Sequence, residues 1–342
     1  MKKEKKKKKK RKLLFTLIGI DIIAIICFFL TYGPINYLRD FLITTAMTTM
    51  NHKYLARIFY SDETINRVMS QNYVSSFDEN TDTSKINIGD FSTTYENEYE
   101  KAVLERKASD IYKLIETTYN GYKVYITAIY DPTRVSLMQT SYLGSTGETL
   151  LEMSKKNGAL VSINAGGFED PGGEGNGGVP MGSVIKDGKV TWREGTTEGS
   201  YIGITDEGVL LLAKGTAEEV IKQGIKDAMQ FGPYLIVNGK SAEISGNGGW
   251  GINPRTAIAQ RKDGIILFIV VDGNGTKYNW NGRGGVSMND LVKILENYGA
   301  YNAANLDGGA STTLVVRNRL YNKPCGYGET GERALPNGWM VK

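Results

Sequence analysis

Residues Leu13 to Leu30 form an almost unbroken apolar run, LLFTLIGIDIIAIICFFL, broken at its centre by Asp21. Inserting a central Asp costs about 3 kcal/mol, whereas thirteen Leu, Ile and Phe contribute about −4 to −8 kcal/mol together, so insertion into a bilayer wins. About 20 residues cross the hydrocarbon layer, which predicts a transmembrane helix over residues 13–32. No small-x-small cleavage site follows directly at Thr31-Tyr32-Gly33-Pro34, which favours an uncleaved anchor over a signal peptide. Helical spacing continues through the next forty residues. Tyr37, Phe41 and Leu42 share one face, and Ile58, Phe59 and Tyr60 cluster later. Residues 33–75 read as a juxtamembrane helical stalk that rests on lipid or pairs with a membrane-protein partner, or serves as a plain spacer. Residues 76–106 are polar, acidic and poor in Leu and Val, the pattern of a linker.

From residue 107 the period shortens. Tyr122–Tyr130 and Arg134–Gln139 suit strands. Asp187-Gly188, Asn238-Gly239 and Asp263-Gly264 sit between apolar runs and predict hairpins at 184–190, after 234–237 and within 256–271. Ser145-x-x-Glu148, Thr216-x-x-Glu219 and Ser287-x-x-Asp290 read as helix starts. Val220, Ile221, Ile225, Ala228 and Met229 form the inward face of the second helix. Leu291, Ile294, Leu295 and Tyr298 form that of the third. Strands outnumber helices and many join by hairpins, so the expected class is α+β, a mixed β-sheet domain over 107–342 with a few packed helices.

Charge sharpens the division. The formal net charge is +4, but residues 1–12 hold ten Lys/Arg against one Glu, leaving the other 330 residues at about −5. The basic residues therefore belong to a cytoplasmic tail, which places the C-terminal domain outside the cell. Acids outnumber the scattered Lys and Arg of that domain, so no nucleic-acid partner is expected. The sole histidine, His52, precedes the domain. A Ser-His-Asp triad and a His-ligated zinc site are excluded there. No metal or other cofactor is called for.

Three apolar strands end in a polar residue and glycines: Asn164-Ala165-Gly166-Gly167-Phe168, Asp272-Gly273-Asn274-Gly275 and Asp307-Gly308-Gly309-Ala310-Ser311-Thr312-Thr313. A fourth stretch, Asn253-Pro254-Arg255-Thr256-Ala257, opens a strand. Strand ends hold side chains over pockets, and glycines there admit a ligand to the backbone. The stretches 164–168, 253–258 and 306–312, with Gly232-Pro233, resemble the phosphodiester glycosidase family over roughly residues 110–342. Ala310 stands where the family motif has its third glycine, and Asn253 where relatives often have His. The resemblance implies hydrolysis of a sugar-phosphate diester, with bacterial relatives tied to exopolysaccharide.

The chemistry fits such residues. The leaving group would be a phosphate monoester, already a stable anion that needs little acid assistance. The oxocarbenium-like transition state still needs a carboxylate. Asp307 is the first candidate for nucleophile or general base, and Asp272 the second. Arg255 offers a two-pronged fork for phosphate, and Asn164 suits sugar hydroxyls or a water. Gly166, Gly167, Asn253, Gly308, Gly309, Ser311 and Thr312 are candidate substrate-binding positions. Among these, the N–H groups of Gly308 to Ser311 and the hydroxyls of Ser311 and Thr312 are expected to hold phosphate. Each site residue also has a plain structural reading, as an ion pair or a turn residue. The Gly-rich 166–178 segment, with Glu169, Asp170 and Glu174, reads as a flap or a calcium loop. Trp250, Tyr278 and Trp280 suit sugar stacking. The expected function is a tethered extracellular hydrolase of sugar-1-phosphodiesters on teichoic-acid-like or exopolysaccharide chains. A non-catalytic glycan-binding module and a structural partner of a membrane complex are the alternatives.

Overall fold

A computed structural model describes residues 2–32, 36–49, 52–195, 198–274, 284–326 and 329–342. Tyr278 and Trp280 fall outside them. The chain divides into two compact units, 1–72 and 73–342.

The first unit opens with the helix Lys2–Tyr32, of which Lys8–Phe29 is long and apolar enough to cross a bilayer. Its Leu, Ile and Phe side chains from Leu13 to Phe29 are exposed. Three shorter helices follow, Asn36–Met47, Lys53–Phe59 and Asp62–Met69. They gather Ile43, Ala46, Ala56, Ile65 and Val68 into a small core, so the expected stalk is a folded helical cluster. Ser61 caps the last helix by accepting the Thr64 N–H at 3.3 Å.

The second unit is built on three sheets of five or seven strands and a two-stranded one, Tyr73–Val74 with Ile244–Ser245. The largest has seven strands, in the order Lys240–Ser241, Tyr234–Val237, Ala300–Asn305, Arg255–Arg261, Ile266–Val271, Tyr122–Ile129 and Tyr112–Tyr119. One five-stranded sheet centres on Val161–Asn164 and Asn337–Val341, the other on Ile225–Gln230 and Gly199–Thr205. The α+β class expected from the sequence is the class found. Every pairing among the described strands runs antiparallel, so the sheets mix strand order but not direction.

Ile266–Val271 reads ILFIVV, without alternation, because both faces of the large sheet are covered. On one face Phe268, Ile258 and Tyr125 meet Ile163, Trp339 and Leu212 of the smaller sheets. On the other, Ala257, Ala259, Leu267 and Ile269 meet Leu291, Ile294 and Leu295 of the helix Met288–Asn297. The three expected hairpins form. At two of them Asp187-Gly188 and Asn238-Gly239 place both turn residues at positive φ, the twist such two-residue turns require.

Three expectations fail for identifiable reasons. The helix Leu150–Asn157 starts at a Thr149–Glu152 capping box and not at Ser145. Glu148 instead accepts Ser141 N–H at 2.8 Å and pairs with Lys156. The helix after Thr216 stops at Lys222, because Gly224 takes positive φ. Ile225, Ala228 and Met229 then belong to a strand, and a set spaced for one helix face is split between two elements. Residues 76–106 are no free linker. Thr81 pairs with Leu212 through both its N–H and its hydroxyl, each at 3.0 Å. Asn80 Oδ1 accepts Lys214 N–H at 3.0 Å. The helix Glu98–Leu104 buries Val103 and Leu104 against the large sheet. A polar strap holds on by hydrogen bonds, which hydropathy does not register.

Candidate active site

The end of Ala300–Asn305, in the large sheet, meets the end of Val161–Asn164, in a smaller one. Asp307 N–H donates to Ala165 O at 2.9 Å, and Asn164 Nδ2 donates to Asp307 O at 2.6 Å. Asn164 Oδ1 accepts the Thr256 hydroxyl at 2.7 Å and Thr313 N–H at 3.1 Å. One buried amide therefore ties together the strand end at 164, the strand start at 256 and both ends of the 307–313 loop. Alongside, Leu306 N–H bonds Thr256 O and Gly309 N–H bonds Pro254 O, each at 2.9 Å. Three of the four sequence-distant motifs converge here.

Asp307 is half-buried. Burial pushes its carboxyl up to about 6, against hydrogen bonds from Ser311 and Gly308 N–H and the nearby Arg333 charge, while Asp170 adds to the rise. The carboxyl therefore changes charge near the pH at which an acid–base group is useful. Gly308 and Gly309 shape the approach. A Cβ on Gly308 would lie 2.9 Å from Pro254 O, whereas Gly309, at φ +60°, faces open space.

The loop does not offer the row of backbone donors expected from its glycines. Gly308 N–H bonds Asp307 Oδ1, Ser311 N–H bonds Gly308 O, Thr312 N–H bonds Gly309 O and Thr313 N–H bonds Asn164. With Gly309 N–H on Pro254 O, these donors fold the loop. Thr312 Oγ1 is buried and without a partner among the described residues.

Arg255 is almost fully buried, and no carboxylate pairs with it among the described residues. Its Nε donates to Val286 O at 3.1 Å and its Nη2 to Trp250 O at 3.1 Å and to Gly251 O. Burial without a counter-ion pushes its pKa down to about 10. It is thus half structural, pinning the 250–255 turn, and half an uncompensated cation. Asn253 joins the same turn through Nδ2 to Trp250 O at 2.9 Å.

Asp272 is buried, and burial raises its carboxyl pKa against the hydrogen bonds it accepts. Its oxygens accept Asn322 Nδ2 at 3.0 Å, Lys323 N–H at 3.2 Å and the Tyr125 hydroxyl at 3.3 Å. Asn322 in turn holds Thr312 O at 3.0 Å and Leu314 N–H at 2.7 Å. Asp272 therefore braces the Asp307 loop from behind. Asp272→Ala is expected to cost about 2–4 kcal/mol by stranding these donors, read as a fall in Tm, with a smaller loss of turnover than any change at Asp307.

Gly166 and Gly167 form the near wall. Gly166 N–H bonds Asn337 Oδ1 at 2.8 Å, and a Cβ on Gly167 would lie 2.8 Å from the Phe231 ring. The 166–178 segment is held by side-chain and backbone bonds. Arg333 grips Asp170 with both nitrogens, at 2.7 and 2.8 Å, over the Phe168 ring. Glu169 N–H bonds Val179 O at 2.9 Å.

A family model described as phosphodiester glycosidase matches residues 157–342, more than half of the sequence and all of this site. The chain belongs to the phosphodiester glycosidase family. This is a family of hydrolases acting on phosphodiesters. Among curated relatives, the SPbeta prophage-derived uncharacterized protein YomE of Bacillus subtilis (strain 168) is 31% identical over 194 residues, covering 54% of this chain and 28% of that protein. The N-acetylglucosamine-1-phosphodiester alpha-N-acetylglucosaminidase of Bos taurus is 25% identical over 193 residues, covering 52% of this chain and 34% of that protein. The chain thus spans about a third of the length of these relatives. The fold is shared with the zebrafish N-acetylglucosamine-1-phosphodiester alpha-N-acetylglucosaminidase catalytic domain auto-inhibited by pro-peptide, with a TM-score of 0.54 at 21% identity, over 69% of this chain and 85% of that one.

Within this member of the family, sequence reasoning missed Arg333 and Phe231. Neither sits in a strand-end glycine motif. Arg333 and Asp170 are 163 residues apart, and nothing local marks them as partners.

Proposed function

We propose that the chain hydrolyses sugar-1-phosphodiester bonds in glycopolymers outside the cell, held to the membrane by residues 13–32. The observation that carries this reading is the half-buried Asp307 carboxyl, pushed up to about 6 at the junction of two sheets, with the uncompensated Arg255 cation beginning the adjacent strand. Deprotonated Asp307 attacks the anomeric carbon or activates the water that does. The bond from that carbon to the phosphate oxygen breaks, and its electron pair leaves with the phosphate monoester. An arriving phosphate diester supplies the negative charge that buried Arg255 lacks, through the Nη1 its backbone bonds do not use. The basic tail remains inside, by the positive-inside rule.

The test is turnover of an N-acetylglucosamine-1-phosphodiester by the full chain in detergent, in 18O-labelled water. Label in the released sugar, with a phosphate monoester as co-product, is expected. Label in phosphate would mean attack at phosphorus with cleavage of a P–O bond, and the proposal would fall.

Because Asp307 acts ionised, kcat/KM should rise as pH passes upward through about 6. Asp170→Asn should move this limb to lower pH. It removes a negative charge that raises the Asp307 pKa and releases the Arg333 charge that lowers it. A limb that stays in place or moves up would contradict the assignment.

A further inference from the structure

An open groove of about 680 Å³ adjoins the Asp307 site without enclosing it. Its lining includes Met181, Glu194, Ser200, Gln230, Phe231 and Gly232. Continuity with the site is direct. Gly167 packs on the Phe231 ring, and Ala165, two residues earlier, accepts Asp307 N–H. Gly232 O accepts from Asn305 Nδ2 at 3.3 Å, two residues before Asp307 on the other side. Phe231 meets Trp250 edge to face at 6.2 Å, and Trp250 O accepts from Arg255.

The groove is constructed space. A Cβ on Gly199 would strike the Gln230 amide, and one on Gly182 would lie 2.5 Å from Gln230 Cβ. Glycine at both positions lets Gln230 lie flat in the floor. Phe231 is half-buried and Met181 is 53% exposed, giving an apolar strip. Polar groups edge it, with Glu194 accepting Gly182 N–H. Among the described residues the lining includes one carboxylate, Glu194, and no lysine or arginine. An apolar strip edged by amide, hydroxyl and carboxylate groups matches the faces and hydroxyls of a sugar ring. It does not match a string of phosphates, which would meet Glu194 without a compensating cation.

We infer that this groove binds an uncharged glycan stretch on one side of the scissile phosphodiester, so that the substrate class is a phosphodiester joined to neutral sugars and not a chain with phosphate in every unit. The link to catalysis rests on the hydrolase reading above, but binding in the groove does not.

The experiment uses the full chain in detergent and two probes, a neutral N-acetylglucosamine tetramer and a glycerol-phosphate tetramer, with binding read by calorimetry. The neutral tetramer should bind about tenfold or more tighter than the phosphate chain. Phe231→Ala should weaken the neutral probe roughly three- to tenfold. Met181→Ala, at an exposed position that cannot unseat the core, should weaken it in the same direction. Glu194→Gln should narrow the gap between probes, and added salt should narrow it too. Equal affinity for both probes, or neutral binding indifferent to Phe231→Ala and Met181→Ala, would overturn the inference. Turnover is scored separately on a minimal methyl diester and on one extended by the neutral tetramer. Binding without turnover of either removes the hydrolase reading and leaves the groove standing. Turnover of the minimal diester with no fall in KM on extension leaves the hydrolase and removes the groove.

Discussion

Asp307→Asn is expected to abolish turnover and, at the same time, to make the protein more stable above pH 6. The loss should be on the order of 10³-fold or more in kcat, because an amide neither attacks carbon nor takes a proton. The gain has a separate origin. Burial raises the Asp307 carboxyl from its usual 3.8 to about 6, so the folded state holds a proton that the unfolded chain releases. Such a group stabilises the fold fully below about pH 4, and that contribution is lost as pH rises through about 6. At 1.36 kcal/mol per pH unit the penalty at neutral pH reaches about 3 kcal/mol at most. Solvent contact of the half-buried carboxyl reduces it. Asparagine carries no charge to desolvate and escapes the penalty. Thermal unfolding of the two proteins at pH 4 and pH 8 checks this. The Tm difference should be near zero at the lower pH and clearly positive at the higher. A Tm lower than wild type at pH 8 would mean that the carboxylate is a structural anchor.

Arg255→Ala should be the most damaging change to the fold among the site residues. It removes the donors that satisfy Val286 O, Trp250 O and Gly251 O in a nearly dry environment. The expected cost is roughly 3–5 kcal/mol. Inactivity of that variant would say nothing about phosphate. Arg255→Lys separates the two roles, because it keeps the charge but replaces a rigid fork by one flexible ammonium. It should fold at a lower Tm and bind inorganic phosphate about tenfold more weakly, by calorimetry on the full chain. Unchanged phosphate affinity in folded Arg255→Lys would confine Arg255 to holding the 250–255 turn.

The success and failure of sequence reading share one cause. Strands such as Ile266–Val271 and turns such as Asn238-Gly239 are local, set by apolar runs and by a backbone twist few residues accept. The capping boxes at Thr216 and Ser287 are equally local. The box at Thr149 lies beside an equivalent-looking Ser145-x-x-Glu148, and spacing alone does not separate them. The bracing of the 307–313 loop through Asp272 was not legible, because a strand-end aspartate looks the same whatever it bonds. Its partners Asn322 and Lys323 lie some fifty residues on. The strap over 76–106 failed for a related reason. Its anchors, Asn80 and Thr81, bond main-chain groups of a strand 130 or so residues away.

The sequence by itself determined the apolar span at 13–32, the antecedents of the sheets, and the motifs at Asn164, Gly232-Pro233, Asn253 and Asp307 from which the family could be recognised. These depend on composition and near-neighbour spacing, which the covalent chain fixes. The tertiary structure alone decided which polar atoms remain available once the chain has folded. It spent the amides of Gly308, Gly309, Ser311, Thr312 and Thr313 and the Asn164 side chain on internal bonds, left Asp307 half-dry and Arg255 without a carboxylate partner among the described residues, and opened a groove beside them. Desolvation and hydrogen-bond saturation are properties of the surroundings in space, and residues far apart in sequence supply those surroundings.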